Sequence, residues 1–113
     1  VKSTKKTGVD IQVKTEKLQK IATKYIDSET LKNLQASENY IDYLHFYWGI
    51  KEALFKAYGY GQLNFIEHLH IKPFIFSQKG ETTAIINKKD IKISYRVFFE
   101  QNEDYYLCVV TKE

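Results

Sequence analysis

One carboxylate and two ammonium groups sit close together in an otherwise apolar stretch. In WGIKEALFKAYGYG, Trp48 to Gly61, the charged residues are Lys51, Glu52 and Lys56. Residues three and four apart share a helix face, so Trp48, Glu52 and Lys56 line up, with Lys51 and Phe55 beside them. One reading is a solvated i,i+4 ion pair between Glu52 and Lys56, worth about 0.3–0.5 kcal/mol. A second reading needs another acid from elsewhere in the chain, and GVDIQV offers Asp10. An Asp on a strand and a Glu on a helix make an all-oxygen pair. Such pairs hold Mg²⁺, which keeps several waters and takes further ligands from phosphates. Lysines on the same helix would meet those phosphates as point charges. Together the two segments suggest a diphosphate–metal site.

The elements that must position these groups follow from periodicity and turn chemistry. TGVDIQV, residues 7–13, is β-branched and weakly alternating and predicts a strand. TEKLQKIATKYI, residues 15–26, carries Leu18, Ile21, Ala22, Tyr25 and Ile26 at helical spacing, with Thr15 as a cap. Asp27 or Ser28 opens a short helix, SETLKNLQ, with Glu29 in its first turn. Ser37 reads as the N-cap of a long helix over 38–58, which Gly59 and Gly61 end. Then come four β-rich runs, HLHIKPFIF, TTAIIN, IKISYRVFFE and DYYLCVVTK, separated by polar turns. Three of them predict an antiparallel meander, and Pro73 pushes the first toward an edge or a bulge. The fold class is α+β, a long central helix packed on an antiparallel β-sheet.

Composition narrows the function. A chain of 113 residues with 43% apolar content reads as a single domain, residues 1–113, with one modest core. The net charge is +3 and Arg96 is the sole arginine. That balance argues against nucleic acid and suits an anionic small ligand or an acidic protein partner. Cys108, alone in YYLCVV, reads as a core residue of a reducing, cytoplasmic protein. No stretch approaches the ~20 apolar residues of a membrane span. The start at Val1, in a loop-like VKSTKKTGVDIQV, reads as part of a longer protein.

GVDIQ followed by WGIKEALFKAYGYG resembles the phosphopantetheinyl transferases, whose signatures are a Gly-x-Asp segment and a Trp-x-x-Lys-Glu-Ala-x-x-Lys segment. Gly8 and Asp10 match the first, and Trp48, Lys51, Glu52, Ala53 and Lys56 match the second. The resemblance implies transfer of the phosphopantetheine arm of coenzyme A onto a serine of an acyl or peptidyl carrier protein. It also implies Mg²⁺ held by Asp10 and Glu52, with Glu52 helping to deprotonate the serine. Lys51 and Lys56 would contact phosphates, and Lys56 would steady the leaving adenosine bisphosphate. Where the family often has a second acid, this chain has Gln12, whose amide oxygen is a neutral candidate ligand.

The Trp form of the motif resembles the Sfp-type branch, in which two similar lobes form a pseudo-dimer around coenzyme A. This chain corresponds to its C-terminal half, one lobe, which implies self-association or a missing N-terminal lobe. The alternatives are a single-lobe, trimeric holo-acyl-carrier-protein synthase and a non-catalytic α+β interaction domain. Lys14, Lys17, Lys20 and Lys24 would form one basic stripe able to dock an acidic carrier, or simply a solvated face. His45, His68 and His70 read as structural. The aromatic cluster Tyr40, Tyr43, Phe46, Tyr47 and Trp48 reads mostly as core.

Overall fold

The computed structural model describes residues 6–113. The chain runs through strand β1 (Thr7–Gln12), a single helical turn α1 (Lys17–Lys20), helix α2 (Ser28–Gln35) and the long helix α3 (Tyr40–Tyr58). Four strands follow: β2 (Leu69–Ile71), β3 (Lys79–Lys88), β4 (Ile91–Gln101) and β5 (Tyr106–Lys112). They form one antiparallel sheet in the order β1-β5-β4-β3-β2. The expected α+β class is therefore the observed one. The meander β3-β4-β5 is joined by its nearest turns, whereas β1 reaches the far edge by pairing Asp10 with Cys108 and Gly8 with Val110.

Helix α3 crosses one face of this sheet. Phe46, Ile50, Leu54 and Ala57 meet Ile86, Tyr95, Val97, Phe99, Cys108 and Val110 in the main core. Leu44 and Tyr47 turn the other way, onto Leu18, Tyr25, Ile26, Leu31 and Leu34 of the α1–α2 region. Being apolar on two sides makes α3 the centre of the molecule. Gly59 ends it in the left-handed region (φ 77°), and its N–H returns to the Phe55 carbonyl. Asp27 caps α2 by accepting from the Thr30 N–H at 3.0 Å.

Three expected elements differ. Residues 15–26 are not one helix: α1 is a single turn, Ile21 leaves helical geometry (φ −107°, ψ 13°), and Ala22–Lys24 make a 3₁₀ turn. The Tyr25 hydroxyl donates to the Leu18 carbonyl at 3.0 Å, the acceptor that a continuing helix would give to residue 22. The lysines of the expected stripe thus lie on successive turns rather than on one helical face. Second, α3 starts at Tyr40. Ser37 accepts from the Asn39 N–H at 3.0 Å and shapes the turn before the helix, and Asn39 occupies the cap position. Third, the run 68–76 yields only the three-residue edge strand β2. Pro73 has no N–H to add to a ladder. Beyond it, the Tyr43 hydroxyl donates to the Phe74 carbonyl and accepts from the Phe76 N–H, tying this strap to α3.

The aromatic cluster is mainly interior: Phe46 and Tyr47 are buried, and Tyr40, Tyr43 and Trp48 are half-buried. The sheet face away from α3 is different. Val9, Ile11 and Phe98 are exposed there, and register places Val109 between Val9 and Phe98 and Leu107 beside Ile11. No helix among the described residues is long and apolar enough to cross a membrane.

Candidate functional site

The site forms where β1 is pressed onto α3. On β1, Gly8 and Asp10 face the helix and Val9 and Ile11 face out. Gly8 is needed for the approach: a Cβ there would run into the Ala53 carbonyl and stand 3.0 Å from the Ala57 Cβ. Gly49 does the same one step along. Its Cβ would stand 2.7 Å from the Cys108 sulfur and 3.4 Å from Asp10 Oδ2. The small residues Gly49, Ala53 and Ala57 lie four apart, so they form one groove along α3. That groove admits β1 and brings the Asp10 carboxylate level with Glu52.

Asp10 is buried, and both of its oxygens are held. Lys56 Nζ stands 3.0 Å from Oδ1 and also donates to the Val9 carbonyl at 3.2 Å. Gln12 Nε2 donates to Oδ2 at 2.8 Å. A carboxylate only accepts, so the amide must present its nitrogen to Asp10. The i,i+4 pair between Glu52 and Lys56 is not formed; the lysine pairs with Asp10 instead. Glu52 is half-buried, and its carboxylate has no hydrogen bond or ion pair among the described residues. Burial raises its pKa, the negative charge of Asp10 raises it further, and Lys56 opposes both. Glu52 is thus an unpartnered carboxylate beside Asp10, whose charge Lys56 already meets, and among the described residues no group of three or more His, Cys, Asp and Glu side chains gathers that could hold a metal.

The donor set fits a hard divalent ion. Asp10 and Glu52 supply carboxylate oxygens, and no sulfur or imidazole stands among them. The amide of Gln12 is turned nitrogen-first toward Asp10, so it holds the carboxylate. The clefts elsewhere, such as those lined by Phe74 and Arg96 or by Lys14 and His45, include none of Asp10, Glu52 and Lys56. The candidate site is instead an open shelf at the β1 edge, with Lys56 half exposed.

Lys51 is not brought to this shelf. It is buried, and its Nζ donates to the Tyr25 carbonyl at 2.6 Å and to the Phe65 carbonyl at 2.7 Å. Burial pulls its pKa down to about 8, partly opposed by Asp27.

The three histidines and Cys108 are tied into the packing and its hydrogen bonds. His45 is buried, stacks on Tyr106 at 4.5 Å, donates from Nδ1 to the Ile41 carbonyl and accepts at Nε2 from the Thr15 N–H. Burial lowers its pKa, in keeping with a neutral ring that both donates and accepts. His68 accepts from the Asn64 N–H, and His70 bonds the Glu67 carbonyl. Cys108 is buried, which pushes its thiol pKa well up.

Sequence reasoning missed Gly49. A glycine inside a helix, three residues before the candidate acid, was the available signal.

A family model described as the 4'-phosphopantetheinyl transferase superfamily matches residues 6–110. Neither the comparison with curated proteins nor that with solved structures gave a match.

Proposed function

The chain belongs to the 4'-phosphopantetheinyl transferase superfamily, and from that premise we propose that it moves the phosphopantetheine arm of coenzyme A onto a serine of an acyl or peptidyl carrier protein. The observation that carries this reading is the meeting of Asp10, Glu52 and Lys56 where β1 packs on α3. Asp10 and Glu52 would hold Mg²⁺, with Gln12 at the rim as a third candidate. The ion, when bound, neutralises charge on the diphosphate of coenzyme A.

The chain's own residues do the rest. Glu52 accepts the proton of the carrier serine, directly or through a water. The serine oxygen forms a bond to the phosphorus that bears the pantetheine arm, and the bond to the adenosine bisphosphate breaks. Lys56, half exposed, contacts the diphosphate and steadies the departing group. Lys51 is buried with its ammonium on two carbonyls, away from the shelf, so the diphosphate is left to Lys56.

We read residues 1–113 as one lobe, the C-terminal half of an Sfp-type enzyme. The Trp48 motif supports this, and so does the exposed apolar face of Val9, Ile11 and Phe98, which suits a second lobe or a second copy. A trimeric single-lobe synthase is the alternative that the same face supports. The lysines at 14, 17, 20 and 24 are all exposed and provide a basic surface for an acidic carrier, in the cytoplasm.

The test is intact-mass measurement of an apo carrier protein incubated with the chain, coenzyme A and Mg²⁺. A phosphopantetheine-sized gain, lost with Glu52→Ala, is the expected result. A folded chain that gives no gain, alone or with upstream sequence restored, would overturn the enzyme reading in favour of a non-catalytic interaction domain.

A further inference from the structure

Lys51 precedes Glu52 in the chain yet leaves α3 in another direction, since consecutive helical residues are turned about 100° apart. The two carbonyls it holds belong to particular residues. Tyr25 and Phe65 are the acceptors, and the rings of the same two residues flank Trp48. Tyr25 stands edge-on to Trp48 at 5.2 Å, and Phe65 is tilted against it at 5.7 Å. Phe65 also reaches Phe55 at 5.9 Å. Trp48, Glu52 and Phe55 share one face of α3, so Phe65 spans the two aromatics that bracket Glu52 along the helix. One buried ammonium therefore fixes the backbone of both residues whose rings set Trp48. Charge-assisted bonds to carbonyls in a dry setting are strong enough for this task, and a hydrocarbon side chain of the same length could not make them.

We propose that Lys51 is a positioning residue: by clasping the Tyr25 and Phe65 carbonyls it seats their rings on Trp48 and so builds the aromatic wall beside the Glu52 carboxylate. The clasp stands on geometry alone, and its consequence for catalysis rests on the transferase reading. The proposal also gives a physical reason for a tryptophan and a lysine three residues apart. The lysine holds what the indole packs against.

Trp48 is the sole tryptophan, so its emission reports the clasp in the chain by itself, with no coenzyme A or carrier present. The variant is Lys51→Met, with folding checked by far-UV circular dichroism. The expected result is a red-shifted Trp48 emission and faster acrylamide quenching, with Lys51→Arg, which keeps donors, returning toward wild type. A folded Lys51→Met chain with wild-type emission and quenching would overturn the proposal. Should Lys51→Met not fold, Lys51→Arg decides: native emission supports the clasp, and a folded chain with red-shifted emission counts against it. In the transfer assay the clasp predicts a fall in kcat for Lys51→Met. Loss of a phosphate contact alone would raise KM for coenzyme A and leave the Trp48 emission unchanged. A wild-type chain inactive both alone and with upstream sequence restored would sink the transferase reading and leave the emission test standing.

Discussion

Lys56 and Asp10, 46 residues apart in the chain, meet at 3.0 Å and join the helix to the strand at the candidate site. The lysine also takes the Val9 carbonyl, so one ammonium anchors β1 twice. The carboxylate thereby stands beside Glu52, which has no such partner among the described residues. Removing either acid has a different consequence. Asp10→Asn weakens the tie to Lys56 and the candidate cation site together, whereas Glu52→Gln relieves repulsion and leaves the tie intact.

A thermal-shift titration with Mg²⁺ checks this. Wild type gains stability with the ion, about 2.7 kcal/mol at a hundredfold excess over Kd. Both substitutions abolish the gain. Glu52→Gln without Mg²⁺ melts at or above wild type, and Asp10→Asn melts below it. A full Mg²⁺ shift in either variant would remove that residue from the site.

In the transfer assay, Glu52→Gln lowers kcat by about 10²–10⁴-fold if the carboxylate takes the serine proton. A loss confined to the apparent Mg²⁺ requirement, recovered at high metal, would assign Glu52 to metal binding alone.

Gly49→Ala probes the groove on α3. The added methyl would stand 2.7 Å from the Cys108 sulfur, and overpacking of this kind costs about 1–3 kcal/mol. Urea unfolding reads the stability loss. Because the same methyl approaches Asp10 Oδ2, the variant also loses part of the Mg²⁺ shift. A stable variant with an unchanged metal response would mean that Cys108 of β5 sits farther from α3 than described.

Lys51 gives the pH dependence a sign. Its folded form releases a proton near 8, and the unfolded chain does so near 10.5. Between those values the unfolded state holds more protons, so this residue makes stability rise with pH. Above about 9 the raised pKa of buried Cys108 acts in the opposite sense, because the unfolded thiol ionises first. Melting from pH 7 to 9 should therefore show an upward contribution that Lys51→Met lacks. Identical slopes in the two chains would remove Lys51 as its source.

Tyr95 is fully buried on β4, and its hydroxyl has no partner among the described residues. An orphaned buried hydroxyl costs about 1–3 kcal/mol, so Tyr95→Phe is neutral or stabilising in urea unfolding. A clear loss of stability would reveal a hydrogen bond to that hydroxyl.

What could be read from the sequence depended on whether the deciding interaction was local. Helix α3, its glycine stop and the β3-β4-β5 meander follow from periodicity and turn residues lying next to each other. Asp10 and Glu52 were legible as a pair because their chemistry needs company. The break in residues 15–26 was not, because a phenol from Tyr25 claims the Leu18 carbonyl, and no helical periodicity encodes that competition. The short β2 was half legible: Pro73 announced an interruption, but the Tyr43 hydroxyl that replaces the ladder lies 31 residues from Phe74. Lys51 and Lys56 look equivalent as cations on a helix. What separates them is the packing of α1, α2 and the connection carrying Phe65, which buries one and leaves the other at the β1 edge.

The pairing of β1 with β5 has a consequence for biosynthesis. Asp10 leaves the ribosome ahead of Gln12, Glu52 and Lys56, yet its strand partner is Cys108. Until β5 emerges, β1 has no ladder to join, so the acid waits through the synthesis of α3 and the whole meander. Assembly of the candidate site is thus a closing event of folding, set by a contact of high sequence separation. A nascent chain stopped short of β5 would carry every candidate ligand and still have no site.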